Sequence, residues 1–454
     1  MAKAAQGDWK ARKAILSMRT RTTGSSFHRS VYHFGGKDET VKQFRQFFRE
    51  KFSGEADPLP QVTRLVAQMS SDDQEDPVSN AELREAVMKL KPGKCTGPSH
   101  ISQEFLAHLM SSDEGEAFLL SLVNQCLRCP SHLPALLLKG WVLLIPKGAC
   151  SFAPRDFRPI VLSDVLVKLV ARISTLRFTR TLQVPRTAFG GIPGRQTAEA
   201  ISVVKACMGA SAGLQDGVIY LKLDIRGAFD SVLLPKLVDF MARRCSARVS
   251  KSIRFLCYLL THQTLTFHFL QTEWEETLTQ GVIQGGTHSP TLFSYLVAQT
   301  FDDLSLHWHH GLHEVAPFYT ADGWPLFGVW FVDDSLCLFR NLPQVRRLFP
   351  VLRDEMGKLG LFFNLLKCAM LSTTLHPQLP SVLHGVSQVD STMYLGVRLR
   401  LAESDEDAVD ALCGRALKSF MSNRGLLVHP LSTRGQKVKL FNSLVTSTVR
   451  WSLG

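Results

Sequence analysis

Residues 329–339 have the sequence VWFVDDSLCLF, in which the adjacent carboxylates of Asp333 and Asp334 interrupt an apolar stretch. Apolar runs on both sides of a short polar pair predict a β-hairpin with the two acids at its tip. Two such charges repel by roughly 4 kcal/mol at 4 Å and an effective dielectric near 20, so a site that keeps both ionised usually recruits a cation. Oxygen donors suit Mg²⁺. An isolated pair of this kind is more often a plain polar turn. The choice between a turn and a cation site therefore depends on the other motifs of the chain.

The chain has 454 residues, 45% of them hydrophobic, and a formal net charge of +12. This length accommodates two or three subdomains around a sizeable core. The basic charge suits a protein that lies along phosphates, although a membrane-surface protein or a merely basic protein would also show it. No apolar run approaches the ~20 residues of a membrane span, and no hydrophobic signal core opens the chain. We therefore expect a soluble, intracellular protein without a membrane partner. A nuclear location is a separate expectation.

The N-terminal part is expected to lie apart from the rest. Residues 1 to about 30 are basic and without periodicity, which predicts a loosely docked arm. A helix is predicted over Thr40 to Phe52 from its spaced apolar residues. The polar, acidic segment from Ser70 to Pro77 then predicts a linker, with a subdomain boundary near residue 77.

Three charged residues stand at the ends of predicted strands. Asp224 follows the β-branched and aromatic run 218–223, while Lys147 ends one strand and Arg158 enters the next. Two cations at neighbouring strand ends would make a clamp for a triphosphate. The alternatives are a helix-capping role for Asp224 and ordinary surface charges for the two cations.

Two glycine-rich loops offer backbone N–H groups to a ligand. The loop 280–290 opens a long helix, and its glycines would let a substrate approach the backbone closely. The basic loop 91–98 would either cradle phosphates or simply end a helix. Neither contains the Gly-Lys-Ser/Thr ending of a P-loop, and the whole sequence has none, which argues against an ATPase.

In this order the motifs resemble the reverse transcriptase domain of non-LTR, LINE-type retrotransposons. Residues 223–232 are similar to motif A, 284–293 to motif B, and 331–334 to the acidic box of motif C. The further segments that carry the resemblance are 145–147, 157–160 with Lys168, 189–195, 360–368 (motif D) and 394–396 (primer grip). The ordered set covers roughly residues 80 to 450.

The resemblance implies an α+β, right-hand polymerase with fingers, a palm built on an antiparallel sheet, and a partial helical thumb. The corresponding ranges are 1–78 for an N-terminal basic extension and linker, 79–210 for the fingers, 211–400 for the palm and 401–454 for the thumb.

The resemblance also implies the roles of individual residues. The residues expected at the metals and in catalysis are Asp224, Asp333 and Asp334, with the backbone of Ile225. Those expected to bind the nucleotide are Lys147, Arg158, Phe229, Gln284, Gly285 and Lys367, with Phe229 as a steric gate against a 2′ hydroxyl. Tyr394, Leu395 and Gly396 would form the primer grip.

The implied reaction is addition of dNTPs to a primer 3′ end on an RNA template. Two Mg²⁺ ions would support it, and Mn²⁺ is the alternative metal. The implied partners are the RNA template, a DNA primer or nicked target DNA, and dNTPs; oligomeric state and template specificity stay open. The alternatives are a catalytically inactive RNA-binding remnant, and an RNA-dependent RNA polymerase, which the aromatic Phe229 disfavours.

Three positions depart from the family pattern. Val332 replaces the usual Ala of the acidic box, Gly227 a common Lys, and Ser99-His100 a common Asp-Gly. None of these changes removes a metal ligand, but the bulk of Val332 beside the metals could lower activity or alter fidelity. We find no nuclease or zinc-knuckle motif, so a polymerase fragment or a degraded copy of an element is the expectation.

Overall fold

Two β-sheets and a set of packed helices position the acidic hairpin. The computed structural model describes residues 26–54, 57–69, 74–148, 150–211, 214, 217–373, 380–400, 405–428 and 433–447. The strands are β1 (Lys139–Pro146), β2 (Phe157–Ser163), β3 (Ala188–Gly190), β4 (Ile219–Asp224), β5 (Thr264–Phe269), β6 (Thr272–Thr277), β7 (Phe318–Tyr319), β8 (Pro325–Leu326), β9 (Gly328–Phe331), β10 (Asp334–Phe339), β11 (Ala369–Ser372), β12 (Val382–Leu383), β13 (Val386–Gln388), β14 (Ser391–Tyr394) and β15 (Val397–Arg400).

The helices lie before, between and after these strands. They are α1 (26–33), α2 (Lys37–Phe52), α3 (Leu59–Ala67), α4 (Asn80–Met88), α5 (Gln103–Leu109), α6 (Asp113–Arg128), α7 (Ala135–Leu138), α8 (Val165–Arg180), α9 (Thr197–Ser211), α10 (Leu234–Arg243), α11 (Ser250–Thr261), α12 (Ser289–Leu306), α13 (Leu342–Lys358), α14 (Asp405–Leu427) and α15 (Arg434–Phe441). Within the described ranges, none of them combines the length and apolar character needed to cross a lipid bilayer.

A seven-stranded sheet carries both acidic segments. Its strand order is β12-β13-β11-β4-β10-β9-β3, and β4 lies antiparallel to both of its neighbours, β10 and β11. The strands β4 and β10 are buried along most of their length, because helices such as α12 pack on the sheet. The buried apolar run therefore ends where the sheet reaches solvent, at Asp224 and Asp333.

A second sheet of four strands has the order β2-β1-β5-β6. Its apolar face includes Phe157 and Phe267, and helix α2 covers it with Phe44, Phe48 and Phe52, which are all nearly inaccessible to solvent. The helix is amphipathic at a spacing of four residues, so one side meets the sheet and the other faces solvent. Helix α2 is therefore part of the core of this sheet.

The N-terminal part differs from the sequence expectation. Residues 1–25 of the expected arm lie outside the described residues, but 26–33 form a helix whose Ser30 hydroxyl donates to the Phe152 carbonyl at 2.6 Å. Within the predicted linker, Glu75 is buried, and Arg177 and the backbone N–H of Ser252 bind its carboxylate. This part of the acidic segment is therefore packed on the rest of the protein.

Sheet membership also crosses the predicted ranges. The hairpin β5-β6 falls within the range predicted for the palm, yet β5 pairs with β1 in the four-stranded sheet. Strand β3 falls within the range predicted for the fingers, yet it pairs with β9 beside the acidic hairpin. Both pairings join strands that are far apart in sequence, so local sequence patterns do not reveal these pairings.

Candidate functional site

The acidic hairpin closes against the strand that ends in Asp224. Asp334 is the direct antiparallel partner of Asp224 across β10 and β4, and it pairs with Phe331 across β10 and β9. The hairpin turn therefore consists of Val332 and Asp333. Directly paired residues point to the same face of a sheet, so the sheet brings Asp224 and Asp334 together with Asp333 next to them.

Asp334 is held by two groups of the protein. The Lys222 Nζ atom lies 3.3 Å from its Oδ1 atom, and the Leu395 backbone N–H donates to its Oδ2 atom at 3.2 Å. Burial raises the pKa of Asp334, while the positive charge of Lys222 opposes that rise. This carboxylate thus links the acidic tip to the turn between β14 and β15.

The backbone around Asp224 is fixed by the loop that follows α13. The Asn364 N–H donates to the Asp224 carbonyl at 2.8 Å, and the Arg226 N–H donates to the Phe362 carbonyl at 2.8 Å. These two bonds flank the bridge between Ile225 and Phe363, and neither uses the Ile225 carbonyl. The Asp224 N–H also donates to Cys368 Sγ at 3.4 Å. Backbone hydrogen bonds thus fix the chain on both sides of Ile225.

Asp333 faces the charge of Asp224 at the mouth of the site. The surrounding protein partly desolvates the Asp333 carboxylate and raises its pKa, and the neighbouring Asp224 charge adds to that rise. The residue keeps substantial solvent exposure, as a tip residue must if it is to meet a substrate. Arg158 and Lys222 lower the same pKa, so both cations lie near the acids.

The donor set fits Mg²⁺ bound together with a substrate. Among the described residues, no three His, Cys, Asp or Glu side chains converge as a ready-made metal cage. Mg²⁺ is commonly held by one or two carboxylates plus substrate phosphates, keeping several waters, and does not need such a cage. Asp224 and Asp333 supply two adjacent carboxylates of this kind.

Four cations lie close to one another beside Asp230: Lys51, Lys147, Arg158 and Lys367. Burial lowers the pKa of Lys147, and the charges of Lys51, Arg158 and Lys367 lower it further, whereas Asp230 opposes them. Arg158 stands directly across from Ile145 on the paired strands β1 and β2, and both Arg158 and Lys367 are exposed. The Lys147 Nζ atom donates to the Arg155 carbonyl at 2.6 Å. The predicted triphosphate residues therefore share one electropositive region.

The glycine-rich loop lies directly on strand β2. The Val161 N–H donates to the Gln284 carbonyl at 2.7 Å, and Gly285 has a φ of 115°. A Cβ atom at Gly285 would lie 2.6 Å from the Val161 carbonyl oxygen, so only glycine fits this approach. The Gln284 side-chain amide donates to both carboxylate oxygens of Asp230 at 3.1 and 3.0 Å.

Phe229 lies on the short turn after Asp224. Its half-buried ring packs against Phe293 of α12 with ring centroids 4.9 Å apart, and its carbonyl accepts a hydrogen bond from the Val282 N–H at 2.7 Å. The turn Ala228–Asp230 is thus fixed on two sides, by α12 and by the glycine-rich loop.

The segment predicted as the primer grip forms a hairpin turn. Tyr394 is buried, while Leu395 and Gly396 have φ values of 49° and 80° between β14 and β15. Arg415 of α14 donates to the Gly396 carbonyl at 2.9 Å. The turn therefore stands between the acidic tip and the first C-terminal helix.

Sequence reasoning missed two cations of this site. Lys222 lies two residues before Asp224 on the same strand, so the alternation of side chains would have placed both on one face. Lys51, by contrast, lies on a helix far away in the sequence, and no local pattern indicates that it meets Asp230 at 2.7 Å.

Comparison with protein families defines the class of protein. A family described as reverse transcriptase (RNA-dependent DNA polymerase) matches residues 145–399, more than half of the chain. This range contains every strand of the seven-stranded sheet and both acidic segments. The class is that of RNA-directed DNA polymerases, which are nucleotidyltransferases. The chain belongs to the reverse transcriptase family, and the predicted α+β polymerase fold is confirmed.

Solved telomerase structures show a distant similarity. Telomerase from Candida albicans in complex with a TWJ fragment of telomeric RNA has 12% identity and a TM-score of 0.40, with 70% of this chain and 55% of that chain covered. Apo telomerase from Candida tropicalis has 14% identity and a TM-score of 0.42, with 69% and 58% covered. Apo telomerase from Candida tropicalis truncated from the C-terminal domain has 14% identity and a TM-score of 0.40, with 66% of this chain and 59% of that chain covered. The chain thus spans less than two thirds of these telomerases. No curated protein matches it.

Proposed function

We propose that this chain is the reverse transcriptase of a non-LTR, LINE-type retrotransposon, which copies an RNA template by adding dNTPs to a primer 3′ end. The observation that carries the proposal is the pairing of Asp334 with Asp224 and the placement of Asp333 beside them, next to the cationic region. The motif order given above supports the retrotransposon origin. The partners would be an RNA template and a DNA primer or nicked target DNA, in the nucleus.

The acidic residues would have different roles at the metals. Asp224, Asp333 and the Ile225 carbonyl would hold two Mg²⁺ ions, or Mn²⁺ in their place. Bound metal would neutralise charge on the attacking 3′ oxygen and on the leaving pyrophosphate. Asp334 is tied to Lys222 and Leu395 and would assist by orienting the tip, and the turn Tyr394–Gly396 would hold the primer end near it.

The nucleotide would lie between the cations and the glycine-rich loop. Lys147, Arg158 and Lys367 would bind the triphosphate, and the exposed Lys367 would neutralise or protonate the leaving pyrophosphate. Gln284 and Gly285 would line the base side of the pocket. Phe229, fixed against Phe293, would exclude a 2′ hydroxyl from the space under the sugar.

A basic groove beside the glycine-rich loop would take the template strand. Two cavities of about 350 and 310 Å³ share Lys89, Arg172 and Thr287, and the second also contains Lys94 and Gly285. Phosphate contacts from lysine and arginine position a nucleic acid without reading its sequence. The groove would therefore hold RNA of any sequence and deliver a template base to the nucleotide pocket.

Primer extension on homopolymer RNA tests the proposal. The purified chain should extend an oligo(dT) primer on poly(rA) with dTTP and Mg²⁺, and chelation of the metal should stop it. Asp333→Asn should lower the rate at least about 100-fold, because a lost metal ligand removes several kcal/mol of transition-state stabilisation. Template binding should stay within about threefold. Asp303→Asn is the matched control, because it makes the same chemical change at an exposed residue of α12.

The assay also separates the alternatives. An inactive RNA-binding remnant would bind poly(rA) but extend no primer with Mg²⁺ or Mn²⁺. An RNA-dependent RNA polymerase would prefer UTP to dTTP. If Asp333→Asn extends the primer as well as the unmodified chain, the assignment of the acidic tip is refuted.

A further inference from the structure

Helix α2 lies outside the range that matches the family, yet it is built into the four-stranded sheet. Phe48 packs on Phe267 with ring centroids 5.2 Å apart, and Phe44 packs on Phe157 at 5.4 Å. The family match begins only at residue 145. The helix is therefore available to contribute residues to the site that the family motifs do not contain.

The C-terminal end of α2 is fixed to the segment that leads into the glycine-rich loop. The Phe52 carbonyl accepts hydrogen bonds from the Thr279 N–H at 3.0 Å and the Gln280 N–H at 3.1 Å. Gln280 is the first residue of the loop, and two residues later the Val282 N–H donates to the Phe229 carbonyl. A short chain of backbone contacts thus runs from α2 to the turn that carries Phe229.

A second connection runs through charge. The Lys51 Nζ atom lies 2.7 Å from Asp230 Oδ2, and the Asp230 side chain is only 6% exposed. The Gln284 amide donates to the same carboxylate. A buried carboxylate is stable only with a charge partner and satisfied hydrogen bonds, so Lys51 and Gln284 together account for the burial of Asp230.

We propose that Lys51 is a positioning residue of the nucleotide site: by neutralising Asp230, it fixes the turn that carries Phe229 and the orientation of the Gln284 side chain. This proposal rests on the polymerase function proposed above. Without the ammonium group, the Asp230 carboxylate would keep one neutral amide as its hydrogen-bond partner, with Lys147 as the nearby charge, and would draw in water. The turn Ala228–Asp230 would then shift, and both the sugar gate and the pocket wall would lose their fixed places.

Three variants of α2 test this role in single-nucleotide insertion. Lys51→Met keeps the apolar stem of the side chain but removes its charge, and Lys51→Arg keeps the charge. Lys42→Met is the matched control, because Lys42 is 71% exposed on the same helix and pairs only weakly, at 3.6 Å, with Glu39. KM and kcat for dTTP and for UTP are measured, together with the melting temperature.

We expect Lys51→Met to raise the KM for dTTP about tenfold and to reduce the preference for dTTP over UTP several-fold, on the scale of one lost hydrogen bond to a charge. Its kcat should change much less. Lys51→Arg should stay within about threefold of the unmodified chain, and Lys42→Met should be indistinguishable from it. The double variant Lys51→Met, Asp230→Asn should recover discrimination, because a neutral residue 230 needs no cation.

Two results would overturn the proposal. One is an unchanged KM and sugar preference in a Lys51→Met protein of normal melting temperature. The other is a uniform loss of activity that follows a lower melting temperature and is not relieved in the double variant, which would assign Lys51 to stability alone. If Lys42→Met and the unmodified chain both fail to extend a primer, the polymerase function itself fails, and this outcome is distinct from the other two.

Discussion

Val332 holds an unusual conformation in the turn that presents Asp333. Its φ is 58°, in the left-handed region that β-branched residues avoid. Two-residue hairpin turns favour such angles, but usually with Gly or Asn. The side chain is held in place by Gly190, where an added Cβ would lie 2.7 Å from Val332 Cγ2. A strained residue kept by its neighbours defines the position of the adjacent carboxylate.

We predict that Val332→Gly changes the free energy of unfolding by less than about 1 kcal/mol. Relief of about 1–3 kcal/mol of backbone strain offsets the lost side-chain packing and the greater entropy of the unfolded chain. The control is Val329→Gly in the same hairpin, which should cost about 3 kcal/mol because Val329 is fully buried. Urea denaturation measures both. Equal losses in the two variants would show that Val332 carries no strain.

Single residues show where sequence reasoning stops. The acidic hairpin was predictable, because the apolar runs on both sides of Asp333 and Asp334 belong to local sequence. The similar pair Asp302-Asp303 has helical spacing and no flanking strands, which predicts a solvated helix end, and this prediction is wrong for Asp302. Asp302 is buried and accepts hydrogen bonds from the Thr187 hydroxyl at 2.6 Å and the Arg186 N–H at 2.7 Å. Its partners lie far away in the sequence, so no pattern near Asp302 indicates them.

Among the elements, helix α8 anchors the N-terminal part of the chain through one guanidinium group. Arg177 binds Glu82 with two bonds of 2.8 Å and Glu75 with one of 3.0 Å, and its side chain is 11% exposed. It also donates to the Asp76 and Pro77 carbonyls. The hydrogen bonds from Arg177 lower the pKa of Glu82 to about 2. The C-terminal half of the predicted linker is thus held against α8 by Arg177.

We predict that Arg177→Met lowers stability by about 3 kcal/mol at pH 7, because it leaves the buried Glu75 and the partly buried Glu82 without this cation. Arg180→Met, which loses only a long exposed contact of 3.8 Å to Glu85, should cost under about 1 kcal/mol. The pKa of Glu82 is lowered on folding from 4.5, so its contribution is complete above that pH and disappears as the pH falls toward 2. The difference between the unmodified chain and Arg177→Met should therefore shrink across this range in thermal unfolding. A constant difference down to pH 2 would contradict the assignment.

The elements themselves were largely predictable, and their assembly was not. Strands β1, β2, β4 and β10 fall where the β-branched and aromatic runs predicted them, and the capping box at Ser79 and Glu82 begins α4. The pairing of β1 with β5 joins segments more than a hundred residues apart, and hydrophobic pattern alone does not specify such a pair. The predicted residue ranges of fingers, palm and thumb stay predictions.

For the whole molecule, we expect binding of the proposed template–primer duplex to depend on salt, in keeping with the net charge of +12. We predict that Lys94→Gln lowers the slope of log affinity against log salt concentration by about 0.7–0.9, the value for one phosphate contact. Lys358→Gln is the control, because Lys358 is exposed on α13 and pairs with Glu355 at 2.5 Å. Fluorescence anisotropy across a salt series measures the slopes. Identical slopes for both variants would exclude Lys94 from the template groove.

Helix α2 covers the apolar face of the four-stranded sheet, so a stable polymerase domain must include this helix. A protein excised at residue 145 would keep every acidic motif but would expose Phe157, Phe267 and Trp274 to water. Aromatic surface of that kind drives self-association. We therefore expect the stable domain to be longer than the family match at 145–399. Truncation libraries aimed at a minimal enzyme should begin before residue 37.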